Sequence, residues 1–147
     1  MALSGRFGNT SGRPFLEGRL YVPRFGLWSD ISFLVDTGAD VTVLMPDDGL
    51  RSGIDYTRLT GKTACGGIGG TTEMFVEPAH AVFLDSETKL LHVYTIALHI
   101  APATPQLEKV NSLLGRDVLD SWRMTYDPAH RSLRFEVLSA GQVVQVP

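Results

Sequence analysis

Residues 31–40 read Ile-Ser-Phe-Leu-Val-Asp-Thr-Gly-Ala-Asp, a mainly apolar run that ends in a carboxylate. The part 31–35 is typical of a buried strand, because four of its five side chains are large and apolar. A charge at the end of such a strand costs desolvation free energy, and a stable fold alone gives no reason for Asp36. Either Asp36 ends the strand in a turn stabilised by its own backbone, or it is a catalytic carboxylate.

Most of the remaining chain has the pattern of short strands separated by Gly, Pro and Asp. Runs of β-branched, aromatic and other apolar residues predict strands at 15–22, 31–35, 41–44, 71–76, 79–84, 90–100, 133–138 and 142–146. The segment 115–122 instead has apolar side chains at helical spacing and predicts a two-turn helix. We therefore expect an all-β domain with a closed or orthogonally packed sheet and one short helix near its C-terminal end.

Composition limits the classes of protein to which the chain can belong. Its 147 residues, 44% hydrophobic and 20% charged, suffice for one domain. Thirteen Lys and Arg against sixteen Asp and Glu give a net charge of −3, without the basic surface of a nucleic-acid-binding protein. The single cysteine excludes an internal disulfide framework. We expect a flexible segment over 1–12, one domain over 13–147, no membrane segment and, without a signal peptide, a cytoplasmic protein.

Two further stretches have patterns that bear on function. Residues 66–70 read Gly-Gly-Ile-Gly-Gly and lie between extended segments. Three interpretations fit this stretch: a hairpin tip, a phosphate-binding loop, or a lid over a site. The phosphate-binding loop is disfavoured, because neither a Lys-Ser/Thr pair nor a helix follows, and a lid fits better. Residues 113–117 read Leu-Leu-Gly-Arg-Asp, which alone predicts a buried apolar pair, a turn and the charged start of a helix.

Together and in this order, the three stretches resemble those of the retropepsins, the retroviral-type aspartic proteases, which include free-standing retropepsin-like proteases. The family's pattern is an apolar strand running into Asp-Thr-Gly-Ala-Asp, a flap close to Gly-Gly-Ile-Gly-Gly, and an apolar pair followed by Gly-Arg-Asp/Asn and a short helix. The resemblance runs from about residue 13 to residue 136. It implies a closed, orthogonally packed β-barrel with a flap hairpin and one short C-terminal helix, and the activity of an aspartic endopeptidase.

The resemblance also implies a role for each matching residue. The catalytic loop would be Asp36, Thr37 and Gly38. Substrate would be contacted by Ala39, Asp40, Val43, Gly67, Ile68, Gly69 and Leu113, with Ile68 at the tip of the flap. Asp40 would also pair with Arg116, and Arg116 and Arg13 would support the structure or the dimer.

The chemistry of this family requires two carboxylates that share one proton, because like charges about 3 Å apart cannot both ionise. The chain has no second Asp-Ser/Thr-Gly, since the Asp-Ser pairs at 85–86 and 120–121 lack the glycine and 47–49 lacks the hydroxyl. A two-fold axis that brings two copies of Asp36 together supplies the second carboxylate. We therefore expect a homodimer that acts on protein or peptide substrates and whose activity depends on concentration.

Two other interpretations remain on sequence alone. The same cleft could hold an extended peptide by strand addition without cutting it, which would make the chain a non-catalytic peptide-binding or dimerisation module. The intact Asp-Thr-Gly favours the enzyme, since a scaffold has no need of a charge there. The four histidines suggest a metal site, but they lack ligand-like spacing to a carboxylate or cysteine, so we expect no metal and no other cofactor.

Overall fold

The fold is built mainly from strands, and a computed structural model describes residues 2–67 and 70–147. Within these ranges the strands are β1 (Ala2–Ser4), β2 (Arg6–Phe7), β3 (Pro14–Val22), β4 (Leu27–Val35), β5 (Val43–Leu44), β6 (Lys62–Gly67), β7 (Gly70–Asp85), β8 (Leu90–Ile100), β9 (Leu113–Leu114), β10 (Trp122–Asp127), β11 (Ser132–Val137) and β12 (Gln142–Gln145). The helices described are α1 (Pro46–Ser52) and α2 (Arg116–Leu119).

One sheet closes on itself into a barrel. Its strands follow the order β12-β8-β5-β9-β4-β3-β7-β6, with β2 paired to β3. Because β7 also pairs with β8, the strands β8, β5, β9, β4, β3 and β7 form a closed ring. Closure removes open edges from these six strands. The prediction of an all-β domain with a closed sheet is therefore confirmed.

The barrel interior is filled by alternate side chains of its strands. On β4, Ile31 and Phe33 are completely buried, and the Phe33 ring lies 6.2 Å from the ring of Phe83 on β7. A Cβ atom on Gly18 of β3 would lie 2.6 Å from the Phe83 ring, so this position requires glycine. Such close packing fixes β4, and with it the position at which residue 36 leaves the barrel.

β7 is continuous where the sequence predicts two strands on either side of Pro78. On one side it pairs with β8 from Phe75 to Asp85. On its other side the pairing with β6 ends at Phe75, and the pairing with β3 begins at His80. Pro78 lies between these two partners, where the strand needs no amide donor on that side, so the proline does not interrupt it.

A second sheet of three strands, in the order β1-β11-β10, lies beside the barrel. Leu3 of β1 and Phe135 of β11 are buried in the same core as the barrel strands. The expected flexible segment over 1–12 differs from the structure here, since Ala2–Ser4 pairs with residues 134–136 of β11. The short run Ala-Leu-Ser carries no strand pattern of its own. Its order depends on a partner at the far end of the chain, which a local pattern does not show.

The described residues contain two helices where the sequence predicts one. α2 covers the middle of the predicted segment 115–122. α1 is an addition: it begins at Pro46, carries Asp47 and Asp48 in its first turn, and is followed by Gly53 with a φ of 90°. These are helix start and stop signals. In the part of the chain that the structure describes, no helix is long and apolar enough to span a membrane.

The buried position of His92 on β8 makes the stability of the fold depend on pH. The side chain is completely buried, and neither ring nitrogen has a hydrogen-bond partner among the described residues. Burial lowers the pKa of His92, against the opposing effect of the nearby Asp85 carboxylate. Below pH about 6.5, His92 therefore binds a proton more readily in the unfolded chain than in the folded chain. The free energy of unfolding consequently falls as the pH decreases.

We expect the melting temperature to be lower at about pH 5 than at about pH 7, and the variant His92→Leu to reduce this difference. Calorimetry at both pH values measures it. The matched control is His80→Gln, which removes a partly exposed histidine from the neighbouring strand β7. An undiminished pH dependence in His92→Leu would contradict the assignment.

Candidate active site

The loop after β4 is held by β9, which runs parallel to it with Val35 beside Leu114. Both of these side chains are buried. The backbone N–H of Asp36 donates to the carbonyl oxygen of Leu114 at 3.1 Å, which continues the pairing one residue beyond β4. Asp36 therefore starts from a rigid apolar strand end, so its position does not depend on the conformation of a free loop.

The carboxylate of Asp36 is partly exposed and is oriented by its own loop. Its Oδ1 accepts a hydrogen bond from the backbone N–H of Gly38 at 2.9 Å. A Cβ atom on residue 38 would lie 3.2 Å from the same oxygen, so glycine leaves the carboxylate accessible. This arrangement combines the two interpretations from the sequence: the turn that Asp36 stabilises also presents the carboxylate to a ligand or to water.

A buried threonine ties this loop to α2. Thr42 has no exposed surface; its hydroxyl donates to Oδ1 of Asp117 at 2.7 Å, and its backbone N–H donates to Oδ2 at 2.9 Å. The backbone N–H of Gly115 donates to the Thr42 hydroxyl at 3.2 Å. Two amides at the start of α2 also donate to the carbonyl oxygens of residues 39 and 40. The stretch 113–117 thus acts as the support of the loop that carries Asp36.

A cavity of about 360 Å³ opens beside the loop. Its lining includes four of the residues predicted to contact substrate, together with Gly38: Ala39, Asp40, Val43 and Leu113. The structure therefore brings these predicted residues together at one cleft. Further parts of its lining come from β6, β7 and β8, through Cys65, Met74 and His99.

The hairpin of β6 and β7 forms one wall of this cavity. Cys65 on β6 and Met74 on β7 line it, and the two strands pair up to Gly67 and Gly70. Gly67, which is predicted to contact substrate, is the last residue of β6. The other two predicted flap residues, Ile68 and Gly69, lie outside the described residues. The hairpin has the place that the sequence assigns to a flap.

Of the other predicted residues, Arg116 pairs with a residue of the cleft, whereas Thr37 and Arg13 lie outside its lining. The Arg116 guanidinium donates to Oδ1 of Asp40, so the expected pair forms within one chain. Both side chains are exposed, at 48% and 80%, so the pair contributes only about 0–1 kcal/mol to stability. Thr37 is exposed and lines a separate groove, and Arg13 is exposed in the turn before β3. The roles predicted for Thr37 and Arg13 remain predictions.

Comparison with known proteins bears on this site. A family model described as retroviral aspartyl protease matches residues 11–126. The chain belongs to the retroviral aspartyl protease family. The resemblance to the retropepsins seen in the sequence is thereby confirmed, and the matched range contains every residue predicted for the active site. A search of curated protein sequences found no match.

Two solved retropepsin-type structures share the fold. The protease of EIAV, in complex with the inhibitor HBY-793, is 25% identical with a TM-score of 0.51, over 77% of this chain and 90% of the EIAV chain. A retropepsin-like aspartic protease from Rickettsia conorii is 18% identical with a TM-score of 0.53, over 92% of this chain and 88% of that one. The retropepsin-like fold is confirmed. β1, β2, β11 and β12 lie outside the range that the family model matches.

Sequence reasoning missed two groups of residues at the candidate active site. Thr42 and Asp117 hold the loop, yet the sequence analysis gives no role to Thr42 and includes Asp117 only as part of the stretch 113–117. A hydroxyl inside the apolar run 41–44 was an available signal, because a buried hydroxyl needs a partner. Cys65, Met74 and His99 line the cavity from three different strands. Their convergence follows from barrel closure, which no local pattern predicts.

Replacing Thr42 with valine is expected to lower the free energy of unfolding by about 1–3 kcal/mol. Valine keeps the shape but leaves the amide of Gly115 without its acceptor and removes the hydroxyl bond to Asp117. At about 2–4 °C per kcal/mol, the melting temperature reports the loss. The control Thr42→Ser keeps the hydroxyl and is expected to retain more of the stability than valine does. If valine were the more stable of the two variants, the proposed support would be wrong.

Proposed function

We propose that the protein is an aspartic endopeptidase whose active site is formed by the Asp36 carboxylates of two identical chains. The observation that carries this proposal is the placement of Asp36: a partly exposed carboxylate at the rigid end of a buried strand, in a loop that lines a cavity. Membership of the retroviral aspartyl protease family supports it. Because each chain contributes one such carboxylate, the second must come from another copy.

The chemistry follows from the sharing of one proton. Two carboxylates about 3 Å apart cannot both be charged, so one stays protonated. The ionised carboxylate takes a proton from a water molecule, and the protonated one donates a hydrogen bond to the carbonyl oxygen of the peptide. The water then attacks the carbonyl carbon, and a tetrahedral diol forms without a covalent bond to the enzyme. Transfer of a proton to the departing amine completes the cleavage of the peptide bond.

The cavity favours an extended peptide with an apolar side chain near the cut. Val41, Val43, Met74 and Leu113 form its apolar lining. β6 ends the order of strands in its sheet and pairs with β7 along one side. An extended substrate can pair with the open side of β6 by strand addition, which fixes the main chain beside Asp36.

The proposal is tested with a mixed peptide library at several pH values and several protein concentrations, with products identified by mass spectrometry. We expect cleavage next to apolar side chains, at a rate per chain that rises with concentration until the dimer is fully formed. Saturable binding of peptides without cleavage at any pH or concentration would favour the non-catalytic peptide-binding module instead.

A further inference from the structure

His99 of β8 lines the candidate active-site cavity and takes no part in the proton transfers proposed for Asp36. The residue is half-buried, and its paired neighbour on β5 is Val43, which lines the same cavity. The backbone N–H of His99 donates to the carbonyl oxygen of Thr42 at 3.2 Å. Because Thr42 is itself held by Asp117, the imidazole has a fixed place relative to the loop that carries Asp36.

One ring nitrogen of His99 is already used within the chain. Nδ1 lies 3.0 Å from the carbonyl oxygen of Ala97. A carbonyl oxygen can only accept a hydrogen bond, so Nδ1 must carry the hydrogen atom. In the neutral ring the other nitrogen, Nε2, then has a lone pair and is a hydrogen-bond acceptor. The imidazole therefore offers an acceptor to a ligand, and its own strand sets the tautomer that does so.

The hydrogen bond to Ala97 gives the His99 side chain little value for the stability of the fold. Ala97 lies two residues earlier on the same strand, so the bond joins no two elements. Thr42 and Asp117, which do support the active-site loop, connect positions that are 75 residues apart. An imidazole in an apolar cavity also costs desolvation free energy unless a partner meets it. Contact with a ligand therefore explains His99 better than packing does.

The surroundings of His99 select the kind of side chain that can reach it. Val43 and Met74 line the same cavity and favour an apolar stem. Among the residues that the structure describes, Asp40 is the only Asp, Glu, Lys or Arg in the lining, and its carboxylate accepts a hydrogen bond from Arg116. A charged substrate side chain would thus leave water without an ion partner of its own. The cavity favours an uncharged side chain that ends in an N–H or O–H donor.

We propose that His99 is a specificity-determining residue, whose Nε2 accepts a hydrogen bond from the substrate side chain that enters this cavity. This inference rests on the proposed function, in which the cavity holds a peptide. The preferred side chains are those of glutamine, asparagine, threonine and serine, which carry a donor and no charge. Paired strands lie about 4.8 Å apart, so a side chain in contact with Val43 comes directly beside the His99 ring. The substrate then has one polar position in an otherwise apolar sequence.

The test uses single-substitution peptides at about pH 7.5, where an ordinary histidine is mostly neutral. One peptide that is cleaved or bound in the mixed library carries Gln, Met, Thr or Val in turn at each position. Gln is similar in size to Met, and Thr to Val, so each pair differs mainly in the donor. Calorimetry measures the affinity for Asp36→Asn, which leaves the peptide uncut, and cleavage by the wild type is measured in parallel. At one position we expect Gln and Thr to bind about 3- to 10-fold more tightly than Met and Val.

Three further substitutions in the Asp36→Asn chain assign this preference to the imidazole. His99→Leu is expected to abolish it, so that Met and Val bind at least as tightly as Gln and Thr. His99→Gln keeps an acceptor and is expected to retain part of the preference. The matched control His80→Gln makes the same change on β7, outside the described lining of the cavity, and is expected to leave the preference intact. A purely structural role of His99 would weaken the binding of all peptides alike without changing these ratios.

The outcomes keep this inference separate from the proposed function. A preference that survives in His99→Leu, or the absence of any such position with His99 intact, would overturn the inference, and cleavage of the same peptides would leave the proposed function in place. If the preference is lost in His99→Leu but the wild type cleaves nothing, the inference stands and the proposed function fails. A protein that binds none of the peptides would overturn the inference.

Discussion

Replacement of Asp36 by asparagine is expected to abolish peptide cleavage without unfolding the protein. Asparagine has nearly the same shape, and its side-chain oxygen can still accept the hydrogen bond from the amide of Gly38. It cannot take a proton from water, so we expect kcat/KM to fall by about 10³-fold or more. The measurement is the rate of cleavage of one peptide found in the library, with the melting temperature recorded on the same sample.

Asp30→Asn is the matched control for this experiment. Asp30 lies on the same strand, β4, and pairs with Arg19 at 2.8 Å on an exposed surface. Its loss is expected to cost at most about 1 kcal/mol and to leave cleavage unchanged. If Asp36→Asn cleaved as fast as Asp30→Asn, Asp36 could not be the catalytic carboxylate.

The second large effect is expected at Gly115, where α2 begins. A Cβ atom there would lie 2.9 Å from the backbone nitrogen of Thr42 and closer still to the carbonyl group of Val41. These are backbone atoms, so Gly115→Ala must push α2 away from the loop. We expect a loss of about 3 kcal/mol or more in stability. A displacement of about 1 Å at Asp36 would also lower kcat/KM by about 100-fold.

Gly26→Ala separates this effect from the general cost of replacing a glycine. Gly26 lies in the turn between β3 and β4, with a φ of 60°, and a Cβ atom added there would have no non-neighbouring atom within 4 Å. Alanine there costs about 1–2 kcal/mol through its backbone conformation alone. We expect normal cleavage in the folded Gly26→Ala protein. Equal losses of stability and activity in both variants would contradict the tight contact between α2 and the loop.

Local sequence patterns were sufficient to predict the structure where one stretch of chain determines its own conformation. The apolar run of β4, the turn at Asp36 and the helix after Gly115 follow from residue type and spacing. The glycine-rich stretch 66–70 was expected between extended segments, and β6 and β7 are those segments. The candidate active site could be predicted because its loops carry residues that stability alone does not require.

Other elements could not be predicted, because they depend on distant partners. β1 is ordered by β11, and the part 122–127, for which the sequence predicts no strand, becomes β10 by pairing with β11. Pro78 appeared to break a strand, yet it falls where β7 changes neighbours. α1 is the exception, since Pro46, the two acidic residues and Gly53 were readable signals of a short helix.

The most direct test of a shared active site is to mix the wild type with Asp36→Asn at constant total concentration. If each site needs one Asp36 from each chain, a mixed dimer is inactive, and activity follows the square of the wild-type fraction. An equal mixture, after the chains have exchanged, is then expected to show about one quarter of the wild-type rate. About one half of that rate, in proportion to the wild-type fraction, would mean that each chain carries a complete site and would contradict the account.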